Sequence, residues 1–273
     1  ACLCRGQLAR GRFLSDPVMR YHAAKKYAVR ILPILFWLGV WQLVSMGVGQ
    51  PILLVSPLTA LVTLLRLMGT RDFYLSIALS FGRILLGFSL AACAGVLLGA
   101  LAFRFVALKT LLSPLVSAIK ATPVASFVIL ALVWLNSANL SIFTAFLMVL
   151  PVLYGHTMAG LNSADPKLLE MTKAFGIGHF KTVRAVYIPA LYPYFLTGCH
   201  LALGICWKAG IAAEVIGQPA ASIGDKLYRA KLFLATDELF AWTLAIIILS
   251  VLFEKVVVCC VQAILKKFRE NST

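Results

Sequence analysis

Between Lys120 and Asp165 the chain carries no charged side chain at all. One bilayer crossing takes about 20 apolar residues, so a run this long has room for two, whereas a soluble helix shows a charged face within a turn or two. Further uncharged windows run from Ile31 to Leu65, Ile84 to Phe103, Ala185 to Trp207 and Leu239 to Phe253. Of the 273 residues 61% are hydrophobic and 13% charged, where a soluble domain has about half and about a quarter. The mean hydropathy is +0.93. This is the composition of an all-α integral membrane protein. The net charge of +15, from 25 Lys and Arg against 10 Asp and Glu, does not indicate nucleic acid, because a basic nucleic-acid binder needs a polar surface that this chain lacks. It indicates loops kept on the cytoplasmic side by the positive-inside rule.

Helix breakers divide these windows into six expected spans. Gln50-Pro51 and Ser56-Pro57 separate a first span, about 31–49, from a shorter amphipathic piece, about 57–68. The second begins near Leu75, carries Arg83 in its outer turns and ends at Phe103. Asn136-Ser137-Ala138-Asn139 splits the longest window into a third span, about 111–135, and a fourth, about 140–160. The fifth covers 185–207 and the sixth 239–262, with Glu254 and Lys255 near its end. The first run is too long for a signal peptide and lacks a small-residue cleavage site. Sixteen Lys and Arg fall in the segment 1–30, the loop of Arg104 and Lys109, the 161–186 loop and the tail 263–273, against five (Arg66, Arg71, Lys226, Arg229, Lys231) on the other side. Both termini are therefore expected in the cytoplasm.

Gly87, Ala91, Gly95 and Gly99 form a small-residue stripe that lets another helix backbone approach closely, within the chain or between two copies. The seven cysteines lack metal-ligand spacing and sit mostly in apolar stretches, so they read as free core thiols, with no role given to Cys2 and Cys4. His156 and His200 are lone histidines on apolar stretches and read as core or interface residues. No metal site is expected.

The longest cytoplasmic loop gives the clearest local signal. Asp165 and Pro166 are a helix start, cap and first position, and Gly176 and Gly178 stop the helix after about ten residues. Leu168, Leu169, Thr172 and Phe175 share one face of it. A short helix with its own start and stop, held between two spans, is a part that another protein can grip.

Glu170, Gly176, Val186, Ile188 and Pro189 fit the frame of the cytoplasmic loop of permease subunits in binding-protein-dependent ABC importers, with Met171 and Thr172 in place of that frame's two alanines. Ser56-Pro57-Leu58-Thr59-Ala60, Ser80-Phe81-Gly82-Arg83 with Gly87-Phe88, Ala121-Thr122-Pro123-Val124-Ala125, and Trp207 with Glu214 resemble, in order, stretches of the nitrate/sulfonate/taurine/bicarbonate branch. The 217–224 stretch and Trp134-Leu135-Asn136 depart from that branch's usual residues. The resemblance implies a multi-pass bacterial inner-membrane permease in which residues 31–262 form the six-span domain. It further implies a homodimer, two separate ATPase subunits that bind ATP and Mg and grip the coupling helix, and an extracytoplasmic solute-binding protein. The coupling residues would be Asp165, Pro166, Leu168, Leu169, Glu170, Thr172, Lys173, Phe175, Gly176 and Gly178.

The chain itself is expected to bind no cofactor and to carry no catalytic residue, since Gly178-His179-Phe180-Lys181-Thr182 lacks the first glycine of a phosphate loop. Candidate pathway residues are Thr122, Pro123, Ser126, Trp207, Lys208 and Glu214. Ionisable groups inside spans mark transport routes by default, Lys208 and Glu214 are a possible pair, and Thr122-Pro123 is a site for a kink. Arg83 and Lys120 read as anchors near span ends. A stand-alone secondary transporter and a membrane-embedded enzyme are the alternatives. The first calls for inverted repeats and a coupling-ion carboxylate, the second for converging nucleophile and base.

Overall fold

Proline and capping residues set the helix limits throughout the computed structural model, which describes residues 17–50 and 52–270, with side chains over 32–50 and 52–263. The basic residues in 1–16, the Cys2 and Cys4 pair and the last three residues lie outside the described part. After α1 (Pro17–Val48), Ser56 caps α2 (Pro57–Met68) by accepting from Thr59 N at 3.2 Å, with Pro57 in the first turn. Trp41 Nε1 donates to Val55 O at 3.0 Å and Ser45 Oγ to Leu54 O at 3.1 Å, which folds the turn between the two back onto α1. Then follow α3 (Arg71–Arg104), α4 (Val106–Ala121), α5 (Val124–Ala131) and α6 (Ser137–Asn162). The short α7 (Pro166–Ala174) leads to α8 (His179–Thr182), a π-helical turn (Val183–Tyr187) and α9 (Ile188–Gly217). Last come α10 (Ile223–Leu232) and α11 (Thr236–Glu270).

Four of these are long and apolar enough to cross a membrane unbroken: Arg71–Arg104, Ser137–Asn162, the run His179–Gly217, and Thr236–Ala263. The expected third span, 111–135, is not one helix. It is broken at Thr122-Pro123, where α4 and α5 meet at 101°. Thr122 sits at φ −82°, ψ 132°, the extended conformation that a following proline imposes, and its Oγ1 folds back to Ala118 O at 2.8 Å. What the sequence suggests as a kink is a full change of direction. The expected first span survives as the shorter apolar helix Leu32–Val48.

The expected fifth span also differs. Its helix begins six residues earlier, at His179, and continues to Gly217, because the π-helical turn just before Pro189 absorbs the hydrogen bond that the proline cannot donate. Lys208 and Glu214 are therefore inside the helix and not in a loop beyond it.

The core is α3, α6 and α9 packed backbone to backbone. A Cβ added at Gly87 would lie 2.5 Å from Ile142 O, one at Gly95 3.0 Å from Leu153 Cβ, and one at Gly99 2.8 Å from Thr157 Cβ, so α3 and α6 run parallel and the small-residue stripe is used within the chain. On the other flank of α6, Gly160 meets Leu191, Gly198 meets His156 and Gly217 meets Leu140, which makes α9 antiparallel. Helix α11 closes this sheet of helices through Phe253, whose ring lies 5.1 Å from Phe81 and 5.4 Å from Trp207. Cys199 and Cys206 lie in the core, but Cys93, Cys259 and Cys260 are exposed and are not core thiols.

Candidate functional site

Helix α7 is held at both ends by its own sequence. Asp165 Oδ1 accepts the Lys167 N–H at 2.9 Å, and Pro166 fills the first position, where a missing N–H costs nothing. At the other end Gly176 N–H reaches Lys173 O at 3.1 Å and Ile177 N–H reaches Thr172 O at 2.8 Å. This paired closure requires Gly176 in the left-handed region, and its φ is +63°. Gly178 is not part of the stop; with φ −59° it opens α8.

The expected shared face of α7 divides in two. Thr172 is buried, bonded through Oγ1 to Leu169 O at 2.8 Å, and Leu169 is half-buried beneath the helix. Leu168, Met171 and Phe175 face outward beside Ile177 and Phe180, with Phe175 75% and Phe180 78% exposed. Glu170 and Lys173 are also exposed. The departure at the two alanine positions thus has a structural reading: Thr172 serves the inward contact and Met171 adds to the outward one. Thr182, buried below, donates to Gly178 O at 3.3 Å and joins the following turn to the same hairpin.

At the far end of the bundle, Glu214 is fully buried. Its Oε2 accepts from Ser80 Oγ at 2.6 Å and from Gly224 N–H at 3.4 Å, and its Oε1 lies 3.6 Å from Arg83 Nη1. Ser80 Oγ in turn accepts the Ile223 N–H at 2.9 Å. Gly224 packs so closely that a Cβ there would stand 2.3 Å from the Glu214 carbonyl carbon. The 217–224 stretch turns through left-handed Gln218 (φ +48°) and Ala221 (φ +53°), after which Ser222 caps α10 by accepting from Asp225 N at 3.0 Å. Arg83 is therefore no anchor at a span end but the counter-ion of a carboxylate in the core.

The expected pathway residues are not brought together at one place. Lys208 does not pair with Glu214. It is exposed, on a stripe of α9 with Leu201, Ile205 and Ala212. Trp207 is buried in the core between Phe81 and Phe253. Pro123 and Ser126 are exposed and Thr122 is half-buried, while α5 packs through Val128 and Ala131 on Leu140 and Ala213. This brings α5 beside the Glu214 end of α9, but no hydrogen bond or ion pair joins Thr122 or Ser126 to Trp207, Lys208 or Glu214. His200 is half-exposed and not a core residue; its Nδ1 lies 2.9 Å from Glu254 Oε1. Sequence reasoning assigned Ser80, Arg83 and Gly224 no part in this cluster. Arg83 and Glu214 were nevertheless available as opposite charges beside different apolar windows, and a buried charge calls for such a partner.

A bundle of membrane-crossing helices that presents one short, firmly capped helix with an outward apolar surface has the form of a membrane transport component. The chain belongs to the family of binding-protein-dependent transport system inner membrane components, whose pattern it matches over residues 91–270. It is 27% identical over 207 residues to a protein of Bacillus subtilis named as an aliphatic sulfonates transport permease, SsuC, covering 75% of this chain and 74% of that one. To the taurine transport system permease protein TauC of Escherichia coli it is 24% identical, over 78% of this chain and 80% of the relative. To the nitrate import permease protein NrtB of Synechococcus elongatus it is 26% identical, over 68% and 69%. It is a permease subunit of an ABC importer in the nitrate, sulfonate, taurine and bicarbonate branch.

Proposed function

We propose that two copies of this chain form a translocation pathway between them in a bacterial inner membrane, with both termini in the cytoplasm. Each copy is driven by a separate ATPase subunit, which holds ATP and Mg, and a solute-binding protein delivers the cargo from outside. The observation that carries this reading is the α7 hairpin. Leu168, Met171, Phe175, Ile177 and Phe180 form an apolar surface outside the membrane bundle, on a helix capped at both ends. An exposed apolar patch on a rigid element marks a protein contact. The basic residues around it, Lys167, Lys173, Lys181 and Arg184, support the cytoplasmic side.

The cargo is a small anionic or zwitterionic solute, in keeping with the sulfonate, taurine and nitrate named for the relatives; an uncharged heterocycle is the second reading. Cysteine placed at Phe175 or Met171 should cross-link to the cognate ATPase in the assembled complex. An assembled complex that never cross-links from this hairpin would overturn the coupling assignment, and a single copy of the chain per active complex would overturn the dimer.

A further inference from the structure

Helix α4 has three distinct faces. Leu108, Leu112, Val116 and Ile119 turn inward, and Ala107, Leu111, Leu115 and Ala118 form an exposed apolar face. Between these runs a polar stripe at helical spacing, Lys109, Ser113, Ser117 and Lys120, all exposed. The stripe lines a groove of about 610 Å³ against α6, whose wall includes Tyr154 and Asn162. Tyr154 lies eight residues before Asn162, the last residue of α6, so the groove reaches about 12 Å along the span.

Two charges in such a place need an account. Lys109 stands in the first turn of α4 and Lys120 in its last, about 16 Å apart along the helix, and a lysine at a membrane-spanning surface is costly unless it meets water or an anion. Among the described residues the side chains of Lys109, Ser113, Ser117, Lys120 and Tyr154 make no hydrogen bond or ion pair. No Asp or Glu occurs from Phe73 to Ala164, which covers both walls. The groove therefore offers two ammonium groups and three hydroxyls that can donate, with no carboxylate of its own on either wall.

We infer that the α4–α6 groove binds an oxyanion, held by Lys109 and Lys120 with the hydroxyls of Ser113, Ser117 and Tyr154 donating between them. Sulfonate, nitrate, bicarbonate and the phosphodiester of an anionic lipid share this chemistry. The inference rests on the importer reading only for the solute as source; the site's existence does not depend on it.

The test uses the unmodified permease complex in phosphatidylcholine nanodiscs, without nucleotide. Each lysine is acylated with a neutral amine-reactive reagent and followed residue by residue by mass spectrometry, with inorganic sulfate against chloride at equal ionic strength. Sulfate should slow labelling of Lys109 and Lys120 severalfold and saturably while Lys231, exposed at the end of α10, reacts unchanged, and Ser113→Ala with Ser117→Ala should weaken that protection. If protection instead appears only when phosphatidylglycerol is included, the oxyanion is a lipid headgroup. Equal labelling under all three conditions overturns the site. Because the readout involves neither ATP nor transport, it fails or succeeds independently of the coupling assignment.

Discussion

Ser80 Oγ donates to Glu214 at 2.6 Å and at the same time accepts from Ile223 N at 2.9 Å, so one hydroxyl joins α3, α9 and the start of α10. Ser80→Ala deletes a bond to a buried carboxylate and leaves a buried N–H unpaired, a loss of about 1.5–3 kcal/mol. Gly224→Ala is expected to be worse, since its methyl would meet backbone at 2.3 Å and not a side chain that can turn aside. Thermal unfolding of the purified chain in detergent should rank wild type above Ser80→Ala and Ser80→Ala above Gly224→Ala.

Gly176 has no atom within 4 Å of a built Cβ, so its role is conformational and not steric. Gly176→Ala should cost about 1–2 kcal/mol through the left-handed backbone alone, and Gly176→Asn less. The Ile177 amide, closed on Thr172 O, is the reporter. Its hydrogen exchange should accelerate in the alanine variant, and ATP hydrolysed per solute transported should rise while the melting of the membrane bundle stays put.

The limits of α7 could be read from sequence because both ends are set by neighbours in the chain, Asp165-Pro166 and Gly176. The uncharged windows were legible for the same reason, and four of the six spans expected from them are unbroken crossings. Direction was not. Pro123 dictates where the hydrogen-bonded ladder stops, but the 101° between α4 and α5 is settled by Val128 and Ala131 seating on Leu140 and Ala213. The pairing of Arg83 with Glu214 joins residues distant in sequence, and Trp207 is of a type that suits a core and a pore equally.

Gly82 and Gly87 lie on one helix and should respond oppositely to the same change. Gly82→Ala meets nothing within 4 Å and should gain about 0.5–1 kcal/mol from backbone entropy. Gly87→Ala drives a methyl against Ile142 O and Ala145 and should lose about 1–3 kcal/mol. Unfolding midpoints in one detergent check both.

Lys208 is exposed on an otherwise apolar stripe of α9, with no side-chain partner among the described residues. If that stripe faces the pathway between two copies, Lys208→Met lowers solute uptake more than it lowers the amount of complex, and Lys208→Arg keeps part of the activity. Uptake by the methionine variant at the wild-type rate across the substrate range would leave Lys208 as an anchor only.

The glycine contacts of α3 and α9 with α6 limit how this protein can move. Each glycine is a notch filled by an atom of the neighbouring helix 2.5 to 3.0 Å from where its own Cβ would stand. Sliding one helix past another by a fraction of a turn would lift those atoms onto the ridges on either side. Shear is thus costly, and α3, α6 and α9 are expected to move as one unit. The joint left free to flex is the corner at Thr122-Pro123, where no hydrogen-bonded ladder crosses the bend.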